Sequence, residues 1–259
     1  MINEPGIGRK IFFLYPHNII KDIITEIVRN EYEAYILENH IIALKFLVKY
    51  KDSILFINID AIFKEEDWEE YIKNIILNPE TKDTRIGVLT YYEKSKDIIE
   101  KYLIDLGVHC GFIHIKMEPE KCLQIILKTL EANEARGRRR CIRAICNNKL
   151  DTFNIMYGNE RYEGTILDIS IAGIACCFNN KDSLFKVNTV LPNIQLVLRG
   201  ASCILTGKVM QVKKRMQGND VYIIMFDREK IKPEIEKKMH NFIYKSLQEW
   251  IKEEITQIA

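Results

Sequence analysis

Apolar residues follow two different rhythms along this chain. Up to about residue 135 they come as short unbroken runs separated by helical stretches. Lys10–Tyr15, Tyr32–Leu37, Ser53–Ile59, Arg85–Thr90 and Gly111–Ile115 read as strands, and the helices between them are Ile19–Arg29, Ile41–Tyr50, Glu65–Ile76 and Lys96–Leu106, followed by Glu118–Ala135. Helical spacing is plain in Ile20, Ile23, Ile24 and Ile27, and again in Trp68, Tyr71, Ile72, Ile75 and Ile76. Unbroken Ile/Leu/Phe/Val runs fit strands buried on both faces, as in a parallel sheet covered by its crossover helices. Five strands of this kind predict a doubly wound, flavodoxin-like sheet.

The second half changes character. Thr152–Tyr157, Arg161–Asp168, Gly173–Phe178, Ile194–Arg199, Cys203–Lys214 and Val221–Asp227 read as six strands, punctuated by Gly158, Gly173, Pro192, Gly200 and Gly218. Six strands with little helix between them predict a small antiparallel barrel. From Pro233 onward Ile235, Met239, Phe242, Ile243, Leu247, Trp250, Ile251, Ile255 and Ile258 recur at helical spacing, which predicts a long C-terminal helix. The expected division is therefore 1–135 for the α/β domain and 136–259 for the barrel with its helix.

Charge sharpens this division. The first 135 residues hold 17 Lys/Arg against 23 Asp/Glu, and the remainder 21 against 13. The change falls at Arg136-Gly137-Arg138-Arg139-Arg140, which assigns anion-binding work to the second half. The seven cysteines are odd in number and lack metal-ligand spacing, so they read as reduced, small hydrophobes and no metal site is expected. The start MINEPGIGRK has no apolar signal core, and no run is long enough to span a bilayer; a cytoplasmic location is the expectation.

Two short pieces carry candidate chemistry. Arg138, Arg139, Arg140 and Arg143 offer planar guanidinium forks that match phosphate oxygens bidentately and stack on flat bases. Asp168-Ile169-Ser170-Ile171-Ala172-Gly173 lies between two strands, where short polar side chains and a glycine suit a tight turn. A carboxylate there could accept from a guanine edge or hold an arginine in place. Read singly, the first piece is also a solvated charge run and the second an ordinary turn.

In order and on a predicted barrel, the two pieces resemble the PilZ family, with its RxxxR loop in Arg139–Arg143 and its [D/N]xSxxG turn in Asp168–Gly173. The likeness covers about residues 136–230, with Leu205–Val209 and Ile224–Phe226 resembling later family strands more loosely. It implies a receptor for cyclic di-GMP, with no cofactor and no catalysis. Arg139 and Arg143 would grip phosphates and stack on guanines, Arg138 would assist, and Arg140 is a further candidate. Asp168 and Ser170 would meet the guanine edge, and Gly173 would let the turn pass close to the ligand. The implied mechanism changes the arrangement of the two domains and signals to a protein partner.

The first half resembles a response-regulator receiver domain. Thr90 ends the fourth strand, Lys116 follows the fifth, and Asn58 and Asp60 end the third. After the first strand, however, stands Tyr15-Pro16-His17-Asn18 in place of the acid pair, and Asp22 is already inside the helix, so a divalent site lacks ligands. A degenerate receiver used for protein contacts is the expectation. No GxGxxG, P-loop or H-E-x-x-H pattern supports a nucleotide-binding enzyme or zinc hydrolase, and the acidic run at Glu65–Glu70 reads as a solvated helix start. Two other readings compete with the receptor: a basic nucleic-acid-binding regulator, against which stand the modest basic excess and the absence of a recognition helix or zinc spacing, and an interaction protein that binds no ligand.

Overall fold

The computed structural model describes residues 8–147, 149–179, 185–215 and 218–258. The reading of the first seven residues lies outside them. The chain forms two compact units, residues 1–140 with 251–259, and residues 141–250.

The first unit is a five-stranded parallel sheet, β1 (Ile11–Leu14), β2 (Ala34–Leu37), β3 (Ile54–Asn58), β4 (Arg85–Thr90) and β5 (Phe112–His114), in the order β2-β1-β3-β4-β5. Helices α1 (Asn18–Arg29), α2 (His40–Lys49), α3 (Glu65–Leu77), α4 (Lys96–Glu100) and α5 (Pro119–Ala132) alternate with the strands. β1 and β3 are buried at every position, which is why their sequence shows unbroken apolar runs. Asn39 caps α2 by accepting from the N–H groups of Ile41 and Ile42. The fourth helix departs from the regular helix expected over 96–106. After Glu100 it widens into a π-turn, Lys101–Asp105, with Leu106 N–H donating to the Lys101 carbonyl. The turn carries Tyr102 into the core beside Phe112.

The second unit is the six-stranded antiparallel barrel. Its strands are β7 (Asp151–Tyr157), β8 (Glu160–Ser170), β9 (Gly173–Phe178), β10 (Val190–Leu198), β11 (Ala201–Lys213) and β12 (Val221–Phe226). They run in the order β8-β7-β10-β11-β12-β9 and close through β8–β9 pairing. The long β8 makes closure work: its first half pairs with β7 and its second half with β9. A two-residue strand, β6 (Ala144–Ile145), pairs with the far end of β8. Phe153, Phe178 and Tyr222 meet edge-to-face in the interior. β10 begins four residues before the expected Ile194. Pro192 sits inside it, where the register with β11 shifts between Leu191 and Ile194 and Asn193 takes φ +53°. A bulge leaves a residue unpaired, so the missing proline N–H costs no ladder bond.

α6 (Pro233–Ile258) is the long terminal helix. Within the second unit, Arg199 fixes its first part: the guanidinium donates to Ser246 Oγ at 3.1 Å, pairs with Glu249 and lies 5.3 Å from the Phe242 ring centre. Within the first unit, Glu254 accepts from Tyr50 Oη at 2.8 Å and from Lys49 Nζ. No described helix is long and apolar enough to cross a membrane.

Candidate functional site

The barrel assembles part of the expected site from segments far apart in sequence. β6 pairs antiparallel with β8, Ala144 opposite Ile169 and Ile145 opposite Asp168. Arg143, immediately before β6, is thereby brought to the end of β8. Its Nη1 lies 3.5 Å from Asp168 Oδ1, with side chains 43% and 30% exposed. A pair this exposed has little folding value.

The turn that follows is held by Ser170. Its Oγ accepts from Ala172 N–H at 3.3 Å and lies 3.3 Å from the Gly173 carbonyl. Gly173 has a local packing reason to be glycine. A Cβ there would stand 2.2 Å from the Ile224 carbonyl oxygen and 3.0 Å from Met225 Cα, so β12 backbone fills the space. Its φ is not positive. Arg138, Arg139 and Arg140 are exposed and belong to the other compact unit. Arg143, Asp168, Ser170 and Gly173 are the expected residues that share one unit.

The upper edge of the parallel sheet shows how far the first unit departs from a divalent-cation site. Asp60 is buried to 8% side-chain exposure. Its carboxylate takes the Tyr91 N–H at 2.5 Å, lies 3.0 and 3.1 Å from Thr90 Oγ1, and pairs with Lys94 Nζ at 3.6 Å. Lys94 also meets Glu65 at 3.4 Å. Lys116, the lysine expected here, instead lies 5.9 Å from the Tyr91 ring centre. His17 stacks on that ring at 4.7 Å, and Asn58 donates to the Tyr15 carbonyl at 2.9 Å. The Asp60 oxygens are thus engaged by donors and an ammonium. Residues of this edge do not fit a divalent cation, and no group of three His, Cys, Asp or Glu able to hold a metal occurs among the described residues.

Comparison with known proteins gives fold-level likeness at low identity. No protein-family model matches the sequence, and no curated protein matches it. Among solved structures, the PilZ domain of YcgR from Escherichia coli, described with c-di-GMP, is 15% identical, with 42% of this chain and 91% of that one covered and a TM-score of 0.37. The c-di-GMP complex of MrkH from K. pneumonia is 22% identical, covering 48% of this chain and 57% of that one, with a TM-score of 0.35. The response regulator CheY4 of Vibrio cholerae is 19% identical, covering 49% and 98%, with a TM-score of 0.37. The chain spans about half the length of full YcgR, 52%. No family membership follows.

Sequence reasoning missed one residue on which the site's framework depends. Asp151 is fully buried, and its carboxylate accepts from Asn147 N–H at 2.7 Å and Arg199 N–H at 3.2 Å. It ties the loop between β6 and β7 to the β10–β11 turn. An aspartate at the start of an apolar strand after Asn147-Asn148-Lys149 was the available hint, since such a side chain commonly binds backbone N–H groups of a turn.

Proposed function

We propose that this chain is a non-enzymatic receptor for cyclic di-GMP whose ligand site is centred on Arg143, Asp168 and Ser170. Arg138, Arg139 and Arg140 complete it from the segment just before the barrel. The observation that carries the reading is the β6–β8 pairing, which leaves a guanidinium and a carboxylate side by side and partly exposed beside a tight turn. A cyclic dinucleotide presents two phosphates and two flat bases. Guanidinium forks meet the first and stack on the second, while a carboxylate accepts from the guanine edge. Supporting the choice of a compact anion over duplex DNA are the modest basic excess and the absence of a recognition helix among the described residues of the barrel.

The arginine run stands at the sequence junction of the two compact units, Arg138–Arg140 in the first and Arg143 in the second, so ordering it around a ligand would change their arrangement and present a surface to a protein partner. Calorimetry with cyclic di-GMP on the wild type, Arg139→Ala and Arg143→Ala tests the reading. Micromolar or tighter wild-type affinity, about −8 kcal/mol, and a loss of at least about tenfold in each variant are expected. Failure of the folded wild type to bind, or equal affinity in all three proteins, would overturn it. Salt-sensitive DNA binding without dinucleotide affinity would promote the nucleic-acid reading.

A further inference from the structure

The arginine run is not uniform: its first member is already committed to the parallel-sheet unit. α5 ends in a tightly bonded stop. Glu134 takes φ +52° and its N–H donates to the Glu131 carbonyl at 3.0 Å, while the Ala135 N–H donates to the Leu130 carbonyl at 3.0 Å. Buried Ala135 offers its own carbonyl to the Arg9 N–H at 2.9 Å, just before β1. Gly8 lies so close that a Cβ on it would stand 2.8 Å from the Ala135 oxygen and 2.8 Å from the Gly137 nitrogen. Arg136 completes the attachment. Its guanidinium lies 4.8 Å from the Tyr32 ring centre, and Nη2 donates to the Asn30 carbonyl at 3.1 Å. Asn30 caps the C-terminal end of α1, where the helix dipole favours a cation. All these residues belong to the first unit.

Beyond Arg136 the chain has neither helix nor strand until Ala144, where β6 pairs with β8. The chain passes from unit to unit here and again within α6. α6 is a continuous hydrogen-bonded helix, so the irregular stretch is the crossing that can change shape. Resting on the receptor reading above, we propose that Arg136 is the anchor of this stretch and not a ligand group. It holds the near end on Tyr32 and Asn30 while β6 holds Arg143, so that closing Arg138–Arg143 on a ligand pulls on the parallel-sheet unit. Without the anchor, the stretch would adjust locally and ligand would bind without moving that unit. The run thus divides by role: Arg136 transmits what the arginines after it bind.

Arg136 is exposed, so its replacement leaves the core intact. Full-length wild type, Arg136→Ala and Gly8→Ala are to be compared with and without cyclic di-GMP. In ligand-free protein, amide exchange at Arg9 should quicken roughly fivefold in Arg136→Ala, the scale of an exposed cation–π contact, and at least as much in Gly8→Ala. By calorimetry, Arg136→Ala should bind cyclic di-GMP within about twofold of wild type, because an exposed charge off the ligand is screened. The change that cyclic di-GMP makes in the small-angle scattering of wild type should be lost in Arg136→Ala. Unaltered Arg9 exchange in Arg136→Ala, an affinity loss of about tenfold in that variant, or equal scattering changes in variant and wild type would each overturn the anchor while the receptor reading stands. Wild type that binds with no scattering change would do the same. Absence of wild-type binding would overturn the receptor reading and the transmitting role together.

Discussion

Replacing Asp151 by alanine probes the framework that carries Arg143. The carboxylate is fully buried and accepts two backbone N–H groups, from Asn147 and from Arg199, 48 residues apart from the latter in sequence. Arg199 and Gly200 form the two-residue turn of the β10–β11 hairpin, with φ of +49° and +83°, the backbone that matches strand twist. Asp151→Ala leaves both N–H groups without their partner. Both bonds are part-buried, so water replaces some of what is lost; set against about 1–3 kcal/mol for a fully buried unmet donor and the relief from no longer desolvating a carboxylate, the net cost is about 2 kcal/mol. With a urea slope of about 2 kcal/mol per molar, the barrel's unfolding midpoint should fall by about 1 M. Asp151→Asn keeps one oxygen acceptor and should lose about half as much. Hydrogen exchange should localise the damage to residues 147–151 and to the 199–201 turn. An Asp151→Ala protein within about 0.5 kcal/mol of wild type, or exchange changes confined to the parallel-sheet unit, would refute this account of the barrel.

Two further expectations come from the first unit and from the arginine segment. Burial by itself would raise the Glu254 carboxyl pKa, but hydrogen bonds from Lys49 and Tyr50 outweigh it and hold the group below its ordinary value. Its stabilisation is present above the unfolded-state value of about 4.3 and is lost as pH falls through the lower folded-state value. The stability gap between wild type and Glu254→Gln, measured by denaturation at neutral and acid pH, should shrink on acidification; a gap that widens would contradict the assignment. Cys141, within the arginine segment, is the one cysteine that is not buried. Burial pushes the Cys110 thiol up to about 12 and Cys122 to about 11, so little thiolate forms there. A maleimide should modify the native protein first at Cys141, and ligand should slow it; prior modification of Cys110 or Cys122 by peptide mapping would count against the structure.

Much of the architecture can be read from side-chain rhythm because burial imposes it. β3 (ILFIN) is buried throughout and appears as an unbroken run, while β7 and β11 alternate because only one face meets the barrel interior. What sequence could not supply is register. Nothing within Arg139–Arg143 or Asp168–Gly173 says that Arg143 ends beside Asp168, since that depends on a two-residue strand pairing with the far half of β8. Nor does a strand pattern reveal that Lys94, rather than Lys116, meets Asp60, because a loop lysine is placed by the backbone beyond β4. Pro192 looked like a strand boundary and is a bulge instead, since a proline's missing donor is equally tolerable in both. Nor does the turn pattern reveal that β12 backbone leaves no room for a Cβ at Gly173, which depends on packing between strands distant in sequence.

The central claim is that the outer barrel face beside Arg143 and Asp168 receives a cyclic dinucleotide. A crystal structure of the full chain grown with cyclic di-GMP tests it most directly. The account predicts the ring seated over Ser170, with a phosphate on Arg143 and a guanine edge at Asp168. Ligand density elsewhere on the chain, with the Arg143–Asp168 pair unchanged and solvent-covered, would contradict it.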